Sequence, residues 1–338
     1  MQPCRMVSIV FRYYVGIAHE GLAWILGERF KEMYLSPEVA ARCYSEGVRM
    51  ARERYGDFVH VPSPMTPPIS YIHLTTLGAI LQFPQEDGEP NVRPAGFSSL
   101  DEAIEAVERP VNFADCKWVK DRIEFARRME KILGCRVRAH LGVEGPITTA
   151  VLLYGMRFYA ELIEEPERSK RLLKAITDSI VNFIKFTRRL EGLPERSSSH
   201  GICDDLSSLI GPRLWGKFVL PFWDRIYDAF GAQRRYLHCE NLSEGHLPLL
   251  NRIGLSEFDP SHAPKLHPSM LKRHLKMPWR WRVQHVHVNE GFDRMKEVME
   301  EAVENGASVL SFYIADGISP EHVRFFVRTA EGLGGKAI

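Results

Sequence analysis

The sequence predicts an α/β chain folded as a (β/α)8 TIM barrel with N-terminal helical additions. Three observations predict it. Short segments rich in β-branched residues alternate with long amphipathic ones, as parallel α/β architecture requires. The short segments number eight. The 338 residues suit one barrel, which commonly takes about 250 residues or more as a unit, so a single domain over 1–338 is expected. A doubly wound parallel sheet is the alternative, because strand count alone does not close a barrel. Neither G-x-G-x-x-G after a strand nor G-x-x-x-x-G-K-[ST] occurs, so the nucleotide-binding versions of that sheet have no support.

The elements follow in order. VSIVFRYYV (7–15) and FVHV (58–61) are the first two strands. Two Pro-rich stretches, 60–70 and 83–96, read as ordered loops because apolar residues keep interrupting them. Amphipathic helical segments cover 114–134, 166–191, 212–231 and 291–305. In the last, Phe292, Met295, Val298, Met299 and Val303 form one stripe, and Asn305-Gly306 stops it. Between them lie the strands VRAHLGV (137–143), SHGIC (199–203), RRYLHC (234–239), LSEFD (255–259), WRWRVQHVHV (279–288) and SVLSFYIA (308–315).

Charge narrows the partners. The 44 Lys and Arg against 43 Asp and Glu leave a net charge of +1, which argues against duplex nucleic acid or an anionic membrane. The run 272–288 interleaves basic and aromatic residues, as a single-stranded nucleic acid site would. Strict alternation in WRWRV instead puts Trp279 and Trp281 on one strand face and Arg280 and Arg282 on the other. A docking surface for a protein partner suits that run better, and no nucleic acid is expected. No stretch approaches the roughly 18 apolar residues of a membrane span, and the apolar run before Arg12 is short for a signal peptide. The six cysteines lack C-x-x-C spacing and read as reduced thiols, so a cytoplasmic protein is expected.

A parallel barrel carries its chemistry at the carboxyl ends of its strands. Those ends read Glu144; Asp204 and Asp205; His238 and Glu240; Asp259; His287 and Asn289; Asp316. Any one of them has an ordinary use as a helix cap or solvated loop residue; their convergence is the signal. His238-Cys239-Glu240 is the densest cluster. Period-two alternation sends His238 and Glu240 to one side and Cys239 to the other. An imidazole and a carboxylate so placed can share a divalent ion, act as base and orienter, or form a structural salt link. His200 and Cys203 precede Asp204-Asp205. One Asp can cap the helix beginning near Leu206, leaving the other to meet a substrate. His285 and His287 share a strand face in this reading, and Asp316 lies in an Asp-Gly turn.

Several segments together resemble the uroporphyrinogen decarboxylase superfamily, nearer its cobalamin-linked (methylcobamide:coenzyme M) methyltransferase branch. They are YLSPEVAARCYSEGVRMARERYGDFV (34–59), TLGAILQFPQEDGEPNV (76–92), GPITTAVLLYG (145–155) with EEPERSKRLLKAITD (164–178), 204–231, and ISPEHVRFFVRTAEGLG (318–334). The resemblance implies a (β/α)8 barrel. The decarboxylases carry an Arg-rich N-terminal motif; here FRYYVGIAHEG (11–21) holds one Arg. The methyltransferase branch holds zinc with His-x-Cys and a distant Cys. His238 matches the His, while Glu240 and Asp316 stand where the two Cys would be, a harder, oxygen-rich set.

What the resemblance implies is a corrinoid-dependent methyltransferase. It would take methylcobamide from a corrinoid protein on a separate chain, because no D-x-H-x-x-G motif occurs here. It would also take a small methyl acceptor or donor, activated by a divalent metal, zinc first, on His238, Glu240 and Asp316. Asp204, Asp205 and Tyr313 would be catalytic; Glu144, His200, Asp259 and His287 would contact substrate. The alternatives are a decarboxylase or other lyase acting on a carboxylated substrate, and a non-catalytic tetrapyrrole or corrinoid binder.

Overall fold

The computed structural model describes residues 11–338; Cys4 and the start of the strand expected at 7–15 lie outside them. Among the described residues nine strands form: β1 (Arg12–Ile17), β2 (Ile80–Gln82), β3 (Asn91–Arg93), β4 (Ser199–Cys203), β5 (Arg234–His238), β6 (Glu257–Asp259), β7 (Arg280–Val283), β8 (Val309–Ile314) and β9 (Lys336–Ala337). β2 and β3 make an antiparallel hairpin, so the second Pro-rich stretch carries a strand.

The others build the barrel. One parallel sheet runs β4-β5-β6, and a second runs β7-β8-β1 with the short β9 added beyond β1. Isolated parallel bridges continue the order: Phe258 to Trp279 between the sheets, Gly16 to His60, and Met65 to Arg138. The Gly145 N–H donates to the Cys203 carbonyl at 2.6 Å and brings the 137–143 segment alongside β4. Eight segments thus follow one another around the ring in chain order, with ladders continuous over two arcs and single contacts elsewhere.

Between β1 and the His60 bridge come the added helices, His19–Leu26, Phe30–Leu35, Pro37–Arg42 and Val48–Tyr55. Downstream helices match the periodic segments: Lys117–Leu133, Pro166–Leu190 and Phe292–Glu304. The segment 212–231 is divided into Pro212–Phe218 and Leu220–Phe230, because Pro221 lacks an N–H to bond back into the preceding turn. WRWRVQHVHV also divides. The strand stops at Val283, and His285–Asn289 is helical, with the His287 ring accepting from the Gln284 N–H at 3.1 Å. The alternating Val and His that suggested a strand there belong to a capped helical turn. His285 and His287 therefore do not lie on a strand face.

Strand parity divides the packing. Outward residues such as Leu237, Phe258, Leu310 and Phe312 are buried beneath the helices, where Trp223, Tyr227 and Phe230 are fully buried too. Inward residues are polar. In register, Tyr236 pairs with Glu257 and His238 with Asp259, and on the neighbouring strand Arg280 binds Glu257 while Arg282 reaches Asp259 at 3.3 Å. Parallel strands covered on both faces are ordinarily apolar throughout. Charged pairs in such a place add little stability because each charge must be desolvated. They mark the barrel interior as a working surface.

Candidate functional site

The upper layer of that interior gathers the site. Cys203 and His238 are paired residues of β4 and β5, and His238 pairs in turn with Asp259 of β6. His238 Nδ1 lies 3.3 Å from Asp259, which Arg282 also holds at 3.3 Å. The ring is therefore fixed with Nε2 turned to Asp205 at 3.8 Å and Glu240 at 3.7 Å. Asp205 accepts the Glu240 N–H at 2.8 Å, and the Cys203 thiol donates to its other oxygen at 3.5 Å. Cys203, Asp205 and His238 each offer a ligand atom within 4.8 Å of the others. A donor set of sulfur, oxygen and nitrogen so close together fits one divalent ion.

Electrostatics follow from crowding. Glu144, 8% exposed, is pushed up to about 8, first by burial and then by the charges of Asp205 and Asp204. Burial and the same carboxylates raise the Cys203 thiol. Burial also raises Asp205. It pulls His238 down, but the Asp259 hydrogen bond and the charges of Asp205, Asp259 and Glu240 outweigh it, so the imidazole is raised. Asp259 is held low, its burial outweighed by His238 and Arg282.

The Glu144 shift has a testable sign. Folded, the carboxyl keeps a proton that the unfolded chain loses near 4.5, so its contribution to stability falls as pH rises from about 4.5 to about 8. In chelator-treated protein, Glu144→Gln is therefore more stable than the parent at pH 8, by on the order of a few kcal/mol. Urea unfolding would show the gap closing towards pH 5; a gap independent of pH would contradict the assignment.

A cleft of about 460 Å³ opens beside this cluster, lined by Glu240, His262, Arg282, Gln284 and Tyr313 among others. The Arg282 guanidinium lies over the Tyr313 ring, 4.8 Å from its centroid. Gln284 bridges His262 Nδ1 at 2.8 Å and the Ser261 carbonyl at 2.5 Å. Among the described residues, the non-glycine positions with positive φ are Asn241 (59°) and Ser261 (43°). Both follow strands that carry the site, β5 and β6, and backbone in this sparsely populated region gathers where function constrains it.

The other expected residues go elsewhere. Asp204 is fully buried, and its carboxylate accepts from Thr148 N–H at 2.7 Å, Ile147 N–H at 3.3 Å and the Trp223 indole at 2.7 Å. It caps the helix Pro146–Tyr154, not one beginning near Leu206. His200 faces outward and stacks on Phe230 at 4.5 Å, its pKa lowered by burial to about 4. His287 caps its own helical turn. Asp316 is exposed, and among the described residues it forms no ion pair or hydrogen bond with His238 or Glu240. Cys203 and Arg282 are site residues absent from the set expected from sequence. Their signal was parity: Cys203 has the inward parity of Gly201, and Arg282 that of Arg280.

No described helix is long and apolar enough to cross a membrane. No curated protein matches the chain. In structure it is similar to a methyltransferase from Methanosarcina mazei, with a TM-score of 0.66 and 16% identity over 99% of this chain and 96% of that one. That likeness is one of fold. The sequence profile of uroporphyrinogen decarboxylase (URO-D) matches residues 3–277. With a polar barrel mouth and this match over most of its length, the chain belongs to the uroporphyrinogen decarboxylase family, whose fold is the TIM barrel.

Proposed function

We propose that the chain is a methyltransferase of this family, moving a methyl group between a corrinoid carried by a separate protein and a small acceptor or donor. The observation that carries the reading is His238, with Nδ1 tied to Asp259 and Nε2 presented to the carboxylates of Asp205 and Glu240 at the barrel mouth. A divalent ion bound there, zinc in the first instance, would lower the pKa of a small thiol, alcohol or amine and leave it nucleophilic. Asp259 orients the imidazole, and Arg282 orients Asp259. Tyr313 and Arg282 shape a cleft of small-molecule size. The corrinoid, being much larger, meets the rim of the barrel. The fold likeness to a protein named a methyltransferase supports this reading. It also agrees with the single arginine in 11–21, which is poor in the cations a polycarboxylate needs.

Glu144 favours a second reading. A carboxyl still protonated near neutral pH inside the barrel suits a lyase that breaks a carbon–carbon bond to release CO2 and protonates the carbon left behind. Incubating the chain with methylcobalamin and a panel of small thiols, amines and alcohols separates the two. Methyl transfer predicts acceptor-dependent loss of the cobalt–methyl absorbance. CO2 release from a carboxylated substrate, with methylcobalamin untouched, would select the lyase.

A further inference from the structure

We propose that the metal of this site is held by Cys203, Asp205 and His238, a thiolate, a carboxylate and an imidazole from the ends of β4 and β5, and not by His238 with Glu240 and Asp316. The inference rests on the reading of a metal-activated substrate at the barrel mouth and names its ligands. Register supplies the first argument. Cys203 and His238 are direct partners in the β4–β5 ladder, so their side chains emerge on one face, and the chain bends after Cys203 to bring Asp205 back to both. The three ligand atoms lie within 4.8 Å of one another, whereas Asp316 is exposed on the turn after β8.

The second argument is the state of the histidine. A metal-bound imidazole ordinarily gives its other nitrogen to a carboxylate or carbonyl, which fixes the tautomer and the ring plane. His238 already has that arrangement: Nδ1 is engaged by Asp259 at 3.3 Å, Asp259 is anchored by Arg282, and Nε2 is left facing Asp205. The third is charge. Asp205, Glu240 and Asp259 crowd around one imidazole and one guanidinium. The Cys203 thiol already lies 3.5 Å from one of them, the Asp205 carboxylate. Among the described residues no further basic side chain pairs with these three carboxylates, and a dication answers that excess.

The donor set sets the chemistry. Mixed sulfur, oxygen and nitrogen ligands favour zinc-like ions over magnesium or calcium. With one thiolate in place of two, the ion receives less electron density and polarises oxygen and nitrogen acceptors as well as thiols. Cys239 takes no part, because it is fully buried and turned to Ser207 and the Asp204 carbonyl, each at 3.4 Å.

Substituting cobalt(II) for the native ion in the full chain reports the ligands directly. The expected spectrum has a thiolate-to-cobalt charge-transfer band in the near ultraviolet. That band disappears in Cys203→Ser, with affinity down by about tenfold or more, and persists in Cys239→Ser and Asp316→Asn. X-ray absorption on the unaltered zinc protein needs no variant and should show one sulfur among nitrogen and oxygen ligands. Bound metal with no sulfur ligand, or a band that survives Cys203→Ser, overturns the ligand set and leaves the metal-activated reading standing. Failure to bind either metal overturns both.

Discussion

Asp204→Ala lowers the stability of the chain by roughly 3–5 kcal/mol, a large part of what a typical fold has in reserve. The carboxylate is fully buried and satisfies two backbone N–H groups at the start of Pro146–Tyr154 and the Trp223 indole N–H. Its pKa is raised by burial to about 6, so it remains ionised near neutral pH and each hydrogen bond is charge-assisted. Truncation strands three buried donors and opens a hole over Gly145, where an added Cβ would sit 2.4 Å from the Asp204 Cβ. The same loop is tied back by the Leu206 N–H to Thr148 Oγ1 bond at 3.0 Å, so the loss spreads to the segment that carries Asp205. Asp204→Asn keeps the shape and an acceptor, and should cost less than half as much. Urea denaturation of both variants would check this; a near-neutral Asp204→Ala would show that the cap carries no such share.

His238→Ala reduces methyl transfer by about 10³-fold or more while leaving the unfolding midpoint nearly unchanged. The ring is partly exposed to the barrel interior, and its partners are groups of the site, not the packing layer. Asp259→Asn, which removes none of the proposed metal ligands, should cost about 10- to 100-fold by loosening the ring. A His238→Ala protein with unchanged turnover would remove the imidazole from the reaction.

The two adjacent aspartates show where the sequence was legible and where it was not. Strand ends could be located from β-branched runs, and so the region of Asp204-Asp205, His238 and Asp259 was predictable. Which aspartate faces the interior was not, because neighbours on an extended chain point oppositely and the phase depends on where β4 ends. The structure turns Asp204 into the core and Asp205 to the site. Cys203 acquires its position from pairing with β5, a contact between segments 35 residues apart that no local pattern announces. The Arg282–Asp259–His238 chain is likewise a product of register across three strands. At 279–288 local sequence misled, since Val and His alternate in a capped helical turn as they would in a strand. The barrel itself was legible because its alternation of helix and strand repeats along the whole chain, so local errors of this kind did not disturb it.

In the proposed reaction a metal at the barrel mouth activates a small molecule for methyl transfer. Stripping the protein with a chelator and restoring zinc, while following acceptor-dependent demethylation of methylcobalamin, tests it most directly. Activity is expected to be lost in the metal-free protein and to return with about one equivalent of zinc per chain. Full methyl transfer by the metal-free protein would contradict it.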